Sequence, residues 1–164
     1  MTWITAVGDR CIRFSKGKMV YSPAQPQTFR SIMGKKQLFT ADFEFHATPR
    51  LLFPYVHTAS GLSEWFATNV DINPEKIFIF RWENESRKAV LESWRMNHFA
   101  RFKFLPEKPE DEQDPAWFEI RMDTDDMTQL NYVRVSDYSD FEDQEELNDL
   151  WEGLIEKLKT VVGG

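Results

Sequence analysis

Proton transfer, nucleophilic attack and metal binding each need particular side chains at particular spacings, so those residues are the natural starting point. The chain has three histidines, His46, His57 and His98. They form no His-x-x-x-His, HExxH or two-histidine-one-carboxylate pattern, so no metal centre is legible. His46 ends a strand-like run, His57 ends a helix-like run and His98 sits in a turn. All three read as solvated or capping residues, with His57 the best placed because a short helical segment at 61–66 follows it. No G-x-S-x-G elbow surrounds a serine. Ser60 and Ser63 flank Gly61 without a base at recognisable spacing and read as helix-capping residues. Seven glycines form no phosphate-cradling loop.

Carboxylates are abundant without making a site. Glu107, Glu110, Asp111, Glu112 and Asp114 form a solvated loop. Asp123, Asp125 and Asp126 suggest calcium ligation superficially, but the glycine at the sixth loop position and the closing glutamate are both missing. Asp137, Asp140, Glu142, Asp143, Glu145 and Glu146 precede or open a helix, where negative charge complements the helix dipole. Glu64 stands next to Trp65, where apolar surroundings would raise its pKa and suit it to general-acid work; the simpler reading is an exposed helix residue.

The composition bounds what these residues can serve. At 164 residues, with 41% apolar and 29% charged side chains, the chain is one ordinary domain's worth. Aromatic residues reach 15%, including 14 Phe and 6 Trp, enough to fill a core or to line a cavity. A formal charge of -7 argues against nucleic-acid binding and against docking on anionic membranes. The single cysteine, Cys11, excludes an internal disulfide. With no apolar run long enough to span a bilayer and no secretory signal, a cytoplasmic setting is expected.

Charge is unevenly distributed. Residues 1–32 carry a net +4, leaving -11 for residues 33–164. The basic segment closes in Ser22-Pro23-Ala24-Gln25-Pro26-Gln27, and Met33-Gly34-Lys35-Lys36 resembles a natural start ahead of the first good strand. We expect residues 1–32 to lie outside a domain formed by residues 33–164; a rival expectation is that Trp3-Ile4-Thr5-Ala6-Val7 adds an edge strand to it.

From Lys36 the elements are readable. Phe39, Ala41, Phe43 and Phe45 alternate with Leu38, Thr40, Asp42 and Glu44 at the period of a half-buried strand. Thr48 followed by Pro49 is a favoured helix start, and Leu52, Tyr55 and Val56 would share its buried face. Gly61 is expected to break the chain, with 62–66 forming another turn or two of helix. Strands are expected at 77–82, 88–95, 99–105, 117–122 and 129–135, with a proline-bounded loop at 106–115. Leu147, Leu150, Trp151, Leu154, Leu158, Val161 and Val162 form the apolar stripe of a closing helix, stopped by Gly163-Gly164.

A strand, a proline-led helix (Thr48-Pro49), and a small residue before a tryptophan-containing turn (Gly61 to Trp65-Phe66) come in that order. Phe80-Arg81-Trp82 and a terminal helix with Leu150-Trp151 follow. This order resembles the START-like (SRPBCC) superfamily, especially the branch of the activators of heat-shock-protein-90 ATPase. The resemblance runs from about Lys36 to Val162. It implies an α+β helix-grip fold: a curved antiparallel sheet of about six or seven strands around a long C-terminal helix, with two short helices after the first strand. It also implies a cavity between sheet and helix, with Trp65, Phe80, Trp82, Phe102, Phe104, Phe118, Ile120, Trp151 and Leu154 as ligand-facing candidates. Strand periodicity alone leaves open which face of each strand points inward.

Three functions fit. The first is non-enzymatic binding of an apolar small molecule, with no cofactor. The second is a protein-interaction role with a chaperone or other partner. The third, an enzyme using the same cavity, has the least support because no acid–base or nucleophile constellation is visible. A fold by itself does not choose among them.

Overall fold

The computed structural model describes residues 36–163 fully and, before them, the backbone of three strands. These are β1 (Trp3–Val7), β2 (Arg10–Ser15) and β3 (Lys18–Pro23). They form their own antiparallel sheet in the order β1-β2-β3. The Trp3–Val7 segment is therefore an edge strand, but of this small sheet and not of the main one. Cys11 falls in β2. The expectations for the proline-glutamine linker beyond Pro23 and for Met33 as a start lie outside the described residues.

The main sheet has seven antiparallel strands, β4 (Gln37–Phe45), β5 (Asn69–Ile72), β6 (Ile77–Arg81), β7 (Ser86–Arg95), β8 (Phe99–Phe104), β9 (Trp117–Thr124) and β10 (Asn131–Ser139). Their order is β4-β10-β9-β8-β7-β6-β5. The helices are α1 (Pro49–His57), α2 (Ala59–Trp65), the short α3 (Pro109–Gln113) and the long α4 (Gln144–Val162). This is the α+β arrangement expected from the resemblance: one antiparallel sheet, two short helices after its first strand and a long C-terminal helix.

Register settles the parity that periodicity left open. Val135 pairs with Ala41 on one side and Ile120 on the other, Ile120 with Ala100, and Phe118 with Phe102. Directly paired residues share a face, so one inner face carries Phe39, Phe45, Val133, Val135, Phe118, Ile120, Met122, Ala100, Phe102, Ala89, Phe78 and Phe80, all buried. Helix α4 covers it with Leu147, Trp151, Ile155 and Leu158. Of the expected stripe, Leu150 is 50% exposed, and Ile155, absent from it, is fully buried. The hundred-degree step per residue, continued from Trp151, brings Ile155 and not Leu150 onto the sheet.

Local chemistry sets the ends of these elements. Asp143 caps α4 by accepting from the backbone N–H groups of Glu145 and Glu146, and Gly163 ends it in the left-handed region at φ +79°. At Thr48 the position of the cap is as expected, but its side chain makes no capping bond. The break between α1 and α2 lies at Thr58 and not at Gly61. The Thr58 hydroxyl donates to the Pro54 carbonyl at 2.7 Å and accepts from Gly61 N–H at 3.0 Å, closing one helix while opening the next. Gly61 is a helical residue at a close crossing: an added Cβ would sit 2.3 Å from the Pro54 carbonyl oxygen and 2.5 Å from Tyr55 Cα. Ser63 is not a cap either. Its hydroxyl accepts from Val70 N–H at 2.9 Å and so ties α2 to β5, a strand the sequence pattern had not announced.

Candidate functional site

The interface between sheet and α4 has two unlike ends. At one, β4 runs out of Phe45 into α1, and α1 lies against β8, β9 and α4. Leu52, Phe53 and Val56 of α1 and Leu62 and Trp65 of α2 are buried there. Burial of the indole is completed by a hydrogen bond from Trp65 Nε1 to the Tyr55 carbonyl at 2.8 Å. Trp65 therefore belongs to the seal of this end.

At the other end lie Phe104 near the close of β8, Asp137 near the close of β10, and the first turns of α4. Here six of the expected candidates, Phe80, Trp82, Phe102, Phe104, Phe118 and Trp151, assemble around Phe66, the residue after α2. Its ring stacks on Phe118 at 4.7 Å and lies 5.9 Å from both Trp82 and Trp151. Phe118 stacks on Phe102 at 5.1 Å and reaches Phe104 at 5.7 Å and Trp151 at 6.2 Å. Phe80 joins through Trp82 at 6.0 Å. Phe80, Phe102, Phe118, Ile120 and Trp151 are buried, whereas Trp82, Phe104 and Leu154 are only partly buried and pack against the core. Phe66 was not among the candidates, though its place beside Trp65 at the end of α2 was a usable signal.

Two charged residues share this inner face, and sequence reasoning picked out neither. Arg87 pairs with Phe80 across β6 and β7. Its guanidinium carbon lies 4.0 Å from the centre of the Phe104 ring. Asp137 pairs with Phe118 and Phe39. Its Oδ2 accepts from Trp151 Nε1 at 2.9 Å. Burial raises the Asp137 carboxyl above the ordinary aspartate value; hydrogen bonds from Trp151 and Ser139 and the charge of Arg87 act against this, and Asp140 adds to it. Parity held the clue, since Asp137 stands two and four residues after Val135 and Val133 and must share their face.

The outer face is built differently. Glu119, buried to 7% exposure, accepts from Arg101 Nε at 3.0 Å and from Arg121 Nε at 3.1 Å. Those guanidinium groups also lie over Trp117 and Phe99. Arg134 makes a bidentate pair with Asp42 at 2.7 and 2.8 Å. It holds the Asp42 carboxyl below its usual range. A shallow cleft of ≈ 240 Å³ lined by Asp42, Arg121, Asp123, Tyr132 and Arg134 lies on this face. Its arginines are already matched by carboxylates.

The residues read first for chemistry stand apart. His46, His98 and Glu64 are exposed. His57 stacks on Phe53 at 4.5 Å and meets Trp94 at 5.4 Å, and burial lowers its pKa. Asp125 is engaged as a turn residue, accepting from the Met127 and Thr128 N–H groups at 2.8 Å. Among the described residues no group of three metal-ligating side chains converges, and no helix is long and apolar enough to cross a membrane.

A family model for the START-like superfamily domain matches residues 33–164, and the chain belongs to that superfamily. Its structure is similar to the solution structure of the Aha1 dimer from Colwellia psychrerythraea, with a TM-score of 0.62 at 14% identity over 77% of this chain and 96% of that one. It is also similar to protein MLL2253 from Mesorhizobium loti, with a TM-score of 0.62 at 12% identity over 77% and 97% of the two chains. BfR322 from Bacteroides fragilis is 27% identical, with a TM-score of 0.53 over 77% of this chain and 91% of that one. No match is found among curated protein sequences.

Proposed function

We propose that this START-like domain binds a small apolar molecule between the sheet and α4, at the end away from α1. The observation that carries this reading is the contrast in burial along one interface. The α1 end is capped by a helix, while Trp82 and Phe104 stay partly open around the buried Phe118 and Trp151. Partly exposed rings over a packed apolar floor are the surface that gains most from covering by a ligand. Native mass spectrometry of gently purified protein, compared with the same sample denatured, tests it. A stoichiometric added mass that disappears on denaturation is expected. A clean apo mass, together with unchanged thermal stability across a panel of apolar small molecules, overturns it, because a ligand that binds only the folded state must raise the melting temperature.

A protein-interaction role is the second reading, and it rests on a different surface. Trp94 and Met96, where β7 turns toward β8, are 50% and 64% exposed. Trp94 is shelved on Phe53 and His57 of α1. Exposed tryptophan and methionine on a supported turn suit a partner interface. Loss of partner binding in Trp94→Ala with ligand binding intact would favour this role.

A further inference from the structure

We infer that the molecule taken up at this end carries a carboxylate, and that Arg87 is the residue that receives it. The inference deepens the small-molecule reading above and rests on it.

The inner face of the sheet is apolar except at this end, where Arg87 is half-buried beside the rings and its charge stands at the rim of an apolar surface. The arginines of the outer face show how this chain ordinarily matches such a charge: Arg101 and Arg121 share Glu119, Arg134 holds Asp42, and Arg81 holds Asp71. Arg87 is treated otherwise. Among the described residues its guanidinium makes no hydrogen bond and no ion pair, and its contact is the face of Phe104. Stacking on a ring holds the guanidinium plane while leaving its N–H edge unused. That edge is the fork that fits a carboxylate through two parallel hydrogen bonds.

Asp137, the acid nearest in the network, does not take the place of such a ligand. Its Oδ2 is occupied by Trp151 Nε1, and it stands beyond hydrogen-bond reach of Arg87. Burial raises its carboxyl above the ordinary aspartate value, and the charge of Arg87 acts against that rise without a direct bond between the two. The groups that act on it are Trp151 of α4, Ser139 of β10, Arg87 of β7 and Asp140. Phe104, Phe118 and Trp82 then offer rings to the apolar body of the ligand. The chemical class is an amphipathic monocarboxylate, aromatic or alkyl.

The test uses two matched pairs of probes, naphthalene-1-acetate with naphthalene-1-acetamide and decanoate with decanamide, titrated calorimetrically into the full chain and its Arg87→Gln and Arg87→Lys variants. At least one acid should bind about 10- to 100-fold more tightly than its amide, the span expected for charge-assisted hydrogen bonds. Arg87→Gln should remove that preference by weakening the acid far more than the amide, and Arg87→Lys should restore part of it. Near-ultraviolet circular dichroism confirms that each variant keeps its ring packing. If acid and amide bind alike, or Arg87→Gln keeps the acid preference, the inference falls while the apolar-ligand reading stands. If neither member of either pair binds, both fall together.

Discussion

The two ends of the sheet–helix interface are made from the same elements and solved differently. At the α1 end, two short helices joined at Thr58 are laid across the strands, and Leu52, Phe53, Val56, Leu62 and Trp65 are buried beneath them. At the opposite end the strands finish without a helix of that kind, and the inner face receives Arg87 and Asp137 among rings left partly open. Sealing one end with a clamped helix pair lets the fold hold together while the other end carries polar groups that weaken packing. On the reading proposed above, stability and recognition fall to different ends of one layer, with Phe66 and Trp151 packed together at the open one.

That division can be broken from either side. Trp151→Ala removes a buried ring that packs on Phe66 and Phe118 and leaves Asp137 without its donor, so we expect a loss of roughly 3–5 kcal/mol, read by chemical denaturation. Nearly unchanged stability with loss of ligand binding would make Trp151 a wall of the site and not part of the core. Gly61→Ala should cost at least the upper part of about 1–3 kcal/mol, because the atom its Cβ meets is backbone and cannot swing aside. A neutral result there would mean that α1 and α2 are free to shift and do not clamp the sealed end.

The pH dependence separates the ends more finely. Asp137 keeps its proton to higher pH when folded than when unfolded, so folding takes up a proton in the window above 3.8 and stability falls as pH rises through it. Asp137→Asn, which preserves an acceptor for Trp151, should flatten that part of a melting-temperature profile. His57 behaves in the opposite sense. Its folded pKa is lowered, so stability falls as pH drops through about 6.5 and below. His57→Phe keeps the stack on Phe53 and should remove that fall. The smallest effect is expected on the outer face: Asp42→Asn opens an exposed pair, and its melting point should stay close to wild type and lose salt dependence.

Much of the fold was legible because periodicity is local. Alternation along β4, β8 and β9 and the stripe of α4 announce their elements from a few residues each. Thr58 was not, since its double role depends on the Pro54 carbonyl arriving from the previous helix. The aromatic half of the candidate site was legible for the same local reason, while its polar half was not. Asp137 read as one acid among many near a helix start, and Arg87 fell just before the strand expected at 88–95 and was not singled out.

The sequence by itself determined the α+β class, the order of the elements and which residues alternate, because backbone geometry sets those periods within each segment. Only the tertiary structure decided which side of each strand became the interior, that Gly61 sits where two helices nearly touch, and that Arg87, Phe104, Phe118, Asp137 and Trp151 share one end. Those are matters of register between strands far apart in the chain, and register is set by the packing of the whole sheet against one helix.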